Sequence, residues 1–221
     1  MNLEFSQNKS QEIVPASRVE VETDFSDFVP QEFIQNPTEY FEREGKNIKL
    51  GEIKIDEDGK VREDPTAVKD LPVWKNSEGK EIQIVAKRVN IVKGAVGESG
   101  DPFYEYKILE HLAQLRLPAA RPIAKAEQGG IHIIVMERIE GIRWSEKDSL
   151  ALKEKGYSDG DISNIMTEAE SEMNKLKVKF DQAGVIRKWK LADMIFQLDI
   201  ENKRILNVVP TDWERTKIIE K

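Results

Sequence analysis

The chemistry open to this chain is narrowed first by what it lacks. Among 221 residues there is no cysteine and only two histidines, His111 and His132. Disulfides and thiolate metal sites are excluded, and two histidines far from spaced carboxylates offer neither a metal site nor a triad. What remains are carboxylates, lysines and arginines, the side chains that bind phosphate oxygens, hold hard divalent cations and move protons. Four positions stand out: Lys87 directly after Ile84-Val85-Ala86, Glu105 within EYKILEHL, the segment IIVMERIEG at 133–141, and Asp212 after VVPT.

In order and spacing, these four resemble protein kinases and the related small-molecule phosphotransferases, over roughly residues 70–215. Lys87 resembles the strand lysine that reaches the α- and β-phosphates of ATP, and Glu105 the glutamate on the following helix that fixes its ammonium. IIVMERIEG resembles the strand leading into the hinge. The resemblance implies Met136 behind adenine, Glu137, Arg138 and Ile139 offering it backbone hydrogen bonds, and Gly141 releasing the chain. Asp212-Trp213-Glu214 stands where protein kinases have Asp-Phe-Gly, a variant that suits the aminoglycoside-phosphotransferase branch, and Asp212 is thereby the implied Mg²⁺ ligand. Asp193 falls at the place of the second metal ligand. The implied cofactors are ATP and Mg²⁺, and the implied acceptor is a hydroxyl of a protein or small molecule.

The stretch AGVIRKWKLADMIF departs from this pattern. With Asp193 at the second ligand, Lys188 occupies the place of the catalytic aspartate, and a lysine cannot accept a hydroxyl proton as a carboxylate does. No Gly-x-Gly-x-x-Gly precedes Lys87, only Gly51 or Gly59, and the sequence stops at Lys221, which implies a minimal C-lobe. The chain therefore reads either as a phosphotransferase or as a pseudokinase that binds and regulates. A third expectation, an α+β binding protein without nucleotide, requires the charged groups of Lys87 and Glu105 to be more than about 6 Å apart. Asp181 and Asp199 are fallback bases.

The basic residues Lys175, Lys177, Lys179, Arg187, Lys188 and Lys190 form a candidate phosphate or acidic-substrate patch, or else complement a helix C-terminus. Trp213 reads as core; Trp189 reads as core or as a stacking surface.

These residues need a scaffold. The sequence 47–64 alternates around Asp58-Gly59, a strong hairpin signal, and a second hairpin turns at Asn76, Ser77 and Gly79 into a β-branched run over 82–92. Asp101 and Pro102 predict an N-cap and first helical residue. A Gly-Gly turn precedes a strand at 131–136, helical spacing predicts a helix over 158–182 stopped by Gly184, and two short strands follow at 194–198 and 205–209. The class is α+β: an antiparallel N-lobe sheet with one helix (about 46–137), a hinge (about 137–143) and a minimal helical C-lobe carrying a β-hairpin (about 144–221).

Residues 1–45 read as a mobile acidic extension that would recruit a protein partner, although 30–46 offers a short helix around Phe33, Ile34, Tyr40 and Phe41. The first 72 residues hold seventeen acidic and nine basic side chains, which argues against nucleic acid, whose backbone attracts clustered positive charge. No apolar run approaches the roughly 20 residues of a membrane span, and residues 1–10 lack a signal pattern, so a cytoplasmic location is expected.

Overall fold

The computed structural model describes residues 16–48, 67–89, 100–143, 150, 152–213 and 216–219. Its largest element is a six-stranded antiparallel sheet, built from β1 (Ser17–Val21), β2 (Lys46–Asn47), β3 (Ala67–Asp70), β6 (Ile84–Val89), β7 (Pro122–Gln128) and β8 (Ile131–Glu137), in the order β1-β7-β8-β6-β3-β2. The sheet is central because β8 is apolar without alternation. Ile133, Ile134 and Val135 are all buried, which requires cover on both faces. Gly129 and Gly130 both take positive φ in the β7–β8 turn, which suits the primed geometry of tight hairpins.

One face is covered by the segment expected to be mobile. Residues 16–45 are ordered: β1 pairs with β7 from Ser17↔Gln128 to Val21↔Ala124, and α1 (Gln31–Gln35) and α2 (Pro37–Glu44) pack on the sheet. The polar composition hides six apolar anchors, Phe25, Phe28, Val29, Phe33, Tyr40 and Phe41, all buried with Ile84, Ala86, Ile123, Ala124, Ile133 and Val135. Burying a side chain of this size is worth roughly 1.5–3 kcal/mol, enough to order a short segment when several act together. Trp74, on β4 (Trp74–Lys75), joins this core and donates from Nε1 to the Tyr40 hydroxyl at 3.1 Å. The second hairpin forms as expected, β4 pairing with β5 (Glu81–Ile82) while Asn76 Oδ1 accepts from the amides of Glu78 and Lys80. The first hairpin, expected over 47–64 around Asp58-Gly59, falls outside the described residues except for Asn47 and Ile48, and β2 pairs antiparallel with β3 beyond it.

The other face carries α3 (Tyr104–Gln114), which starts later than Asp101 and Pro102 suggested. Asp101 still caps the turn, its Oδ1 accepting from Phe103 N–H at 2.8 Å and its carbonyl from Tyr104 N–H at 3.0 Å. Ile108, Leu109 and Leu112 of α3 belong to a second core with α4 (Asp159–Gln182) and with β11 (Met194–Asp199) and β12 (Arg204–Pro210). Gly184 ends α4 with φ +79, where a Cβ would stand 2.5 Å from the Ile219 carbonyl oxygen. Three pairings were not legible: β7 itself, β9 (Ile142–Arg143) on β11, and β10 (Val185–Ile186) on β13 (Lys217–Ile218). Among the described residues no helix is long and apolar enough to cross a membrane.

Candidate functional site

β6 runs between β8 and β3, with Lys87 opposite Ile134 and Val68. Strand alternation sends Ile84 and Ala86 into the core beneath α1 and α2, and Lys87 to the face of α3. There its Nζ meets Glu105 Oε2 at 2.5 Å, with the two side chains only 11% and 9% exposed. Glu105 lies in the first turn of α3, where the helix dipole favours negative charge. The separation is far inside the distance at which the nucleotide-free α+β reading would have gained support.

The segment from the end of β8 onward is less open than the sequence suggested. Met136 is half-buried, set between Val85 and Pro122 in the sheet and packed on the second core. Glu137 N–H donates to the Arg121 carbonyl and Arg138 N–H to the Gln83 carbonyl, both at 2.9 Å. Their side chains are also engaged, Glu137 with Arg121 at 2.7 Å and Arg138 with Asp70 at 2.9 Å. Of the three amides, Ile139 N–H alone has no hydrogen-bond partner among the described residues. Gly141 does more than release the chain: a Cβ there would stand 2.5 Å from Ile195 Cγ2 and 2.6 Å from the Phe196 carbonyl oxygen, so its lack of one lets the strand come down onto β11.

Asp193 and Asp212 are brought together by main chain. A 3₁₀ turn, Leu191–Asp193, presents the Asp193 carbonyl to Thr211, which donates from its amide at 2.8 Å and its hydroxyl at 3.0 Å. Asp212 follows immediately, exposed, with φ +62. A left-handed non-glycine residue is uncommon and clusters at functional sites, though aspartate tolerates it better than most. Glu214 lies outside the described residues, as do Gly51 and Gly59.

The residue that sequence reasoning placed wrongly is Arg187. It is 8% exposed, and therefore no part of a surface phosphate patch. Its Nη2 donates to the Thr211 carbonyl at 2.8 Å, and its guanidinium lies 4.5 Å from the Trp213 ring centroid and 5.2 Å from that of Trp189. Burial pulls its pKa down, opposed by the charges of Asp193, Asp212 and Glu105, so one buried cation feels carboxylates from both halves of the site. The signal lies in the burial and not in the residue types, since Val-Ile-Arg-Lys-Trp-Lys has no apolar–polar alternation. Residues 185–190 alternate strictly, Val185, Arg187 and Trp189 inward, Ile186, Lys188 and Lys190 outward. Lys188 is therefore exposed, and Lys175, Lys177 and Lys179 stay on the surface of α4.

The aromatic residues are structural here. Trp213 is buried and stacks on Phe180 with centroids 5.7 Å apart, and the half-buried Trp189 meets the same ring edge-on at 5.3 Å. The fallback bases stand at the ends of elements. Asp181 is exposed near the end of α4, its carbonyl accepting from Gly184 N–H, and Asp199 is held below the usual carboxylate range by hydrogen bonds from Asn202. Among the described residues no group of three or more histidine or carboxylate side chains could hold a metal by itself. No protein-family model matches this chain, and it has no match among curated proteins.

Proposed function

We propose that this chain binds ATP with Mg²⁺ in a site resembling that of protein kinases and aminoglycoside phosphotransferases, and transfers the γ-phosphoryl group to a protein or small-molecule hydroxyl. The observation that carries the reading is the buried Lys87–Glu105 pair, joining a central strand to the helix that follows it. A glutamate that fixes a lysine in this way holds its ammonium where phosphate oxygens can reach it. Ile139 N–H would receive the adenine, behind which Met136 stands.

Mg²⁺ characteristically takes one or two carboxylates together with phosphate oxygens and waters, in place of an all-protein cage. Asp193 and Asp212 are a donor set of that kind. The ion, when bound, would offset charge on the phosphates.

One observation favours a second reading, a catalytically inactive pseudokinase serving as a binding or regulatory module. Lys188, at the place of the proton-accepting aspartate, is an exposed cation. The test is thermal unfolding with ATP, with and without Mg²⁺. Nucleotide at a hundred times its dissociation constant should stabilise the chain by about 2.7 kcal/mol, and the absence of any shift overturns both readings. Where a shift appears, transfer of the γ-phosphate to the chain or to hydroxyl substrates separates the enzyme from the pseudokinase.

A further inference from the structure

Arg187 holds the chain on both sides of Asp212. Before it, the Thr211 carbonyl accepts from Arg187 Nη2; after it, the Trp213 ring lies under the guanidinium. Asp193 completes the grip, its carbonyl taking the Thr211 amide and hydroxyl. Between these contacts Asp212 keeps a left-handed backbone with an exposed side chain. Such a conformation is costly in a residue other than glycine and persists only where the surroundings over-determine it.

The guanidinium is only partly satisfied, Nε donating to the Lys188 carbonyl at 3.4 Å and Nη2 to that of Thr211. Its Nη1 is buried with no hydrogen-bond partner among the described residues, and a buried donor left unpaired is destabilising. An arginine kept only for stability would be better replaced by an apolar side chain of similar size between the two tryptophans.

We infer that Arg187 is the positioning residue for Asp212: it fixes the backbone on either side of that aspartate and so aims the carboxylate at the Mg²⁺ of a bound nucleotide. This rests on Asp212 being a metal ligand, as proposed above. Partners that orient a metal ligand change metal affinity typically 10- to 100-fold when removed.

The test titrates Mg²⁺ into the full chain with saturating ATP and reads the midpoint of the Mg²⁺-dependent stabilisation, for wild type, Arg187→Met, Arg187→Lys, Asp212→Asn and the double variant Arg187→Met with Asp212→Asn. Arg187→Met is expected to raise the midpoint roughly 10- to 100-fold while the ligand-free melting temperature changes little. Arg187→Lys, which keeps the charge but loses the planar fork, is expected to raise it several-fold, and carries the test alone if the methionine variant does not fold. In the double variant the arginine change should add nothing to the loss from Asp212→Asn, because one residue acts through the other. A wild type without Mg²⁺-dependent stabilisation overturns the proposed function, and this inference with it. A wild type that responds, with Arg187 variants at the wild-type midpoint or with fully additive losses, overturns the positioning role alone.

Discussion

A lysine and a glutamate placed 2.5 Å apart, each side chain about one-tenth exposed, are a poor device for stability. Their attraction must first repay two desolvations, and replacing such a pair with apolar side chains is often neutral or stabilising. Removing one partner is different, since it strands the other charge. Lys87→Met should therefore destabilise the ligand-free chain by about 3–5 kcal/mol in urea unfolding, and Lys87→Met with Glu105→Leu should regain most of that loss. Neither variant should be stabilised by ATP. A double variant that recovers its stability and still responds to ATP would show the pair to be structural. This pair was legible in the sequence because both residues lie on well-signalled elements, a β-branched strand and an amphipathic helix. Arg187 was misread because a run of lysines around it suggested a solvated face, and Val-Ile-Arg-Lys-Trp-Lys has no apolar–polar alternation that would set it apart.

At the scale of elements, α4 shows how local chemistry sets a boundary. Ser158 Oγ accepts from Asp161 N–H at 3.1 Å, and Asp161 Oδ2 accepts from the Ser158 amide at 2.8 Å, a reciprocal cap that fixes the first turn. Lys203 adds an ion pair at 2.7 Å, so the Asp161 carboxyl is pulled down to about 2, first by Lys203 and then by the Ser158 hydrogen bonds. A depressed carboxyl stabilises the fold above its ordinary value of 3.8, and that contribution is lost as pH falls toward about 2. Asp161→Asn should flatten the fall in stability across that window, measured by urea unfolding at each pH, and Ser158→Ala should cost about 1 kcal/mol at neutral pH. An unchanged pH profile for Asp161→Asn would contradict the cap's electrostatic role. The limits of α4 could be read in advance because caps and helical spacing are local signals. β7 could not: Pro122-Ile123-Ala124-Lys125-Ala126 is a weak strand former by itself, and it becomes a strand because β8 lies on one side of it and β1 on the other.

For the molecule as a whole, the largest departure from expectation is the role of residues 16–45. A chain read by composition discards this segment, whereas the sheet uses it twice, as the strand that covers the edge of β7 and as the helices that cover one face. Beginning the chain at residue 46 would leave the edge of β7 that faces away from β8 unpaired and expose the partners of Phe25, Phe28, Phe33, Tyr40 and Phe41. An open edge beside an apolar face is a template for aggregation. At roughly 1.5–3 kcal/mol for each large side chain, the lost burial rivals the 5–15 kcal/mol by which whole domains are stable. The chain 46–221 should therefore unfold without cooperativity or aggregate, and Phe33→Ala and Phe41→Ala, both at wholly buried positions, should each cost about 3–5 kcal/mol in the full chain. Residues 16–45 supplied as a separate peptide should restore a cooperative transition to 46–221, since their contacts are with the sheet. Circular dichroism and size-exclusion chromatography read all three outcomes. A monomeric 46–221 that melts cooperatively at the full chain's temperature would show that the segment decorates the fold without completing it.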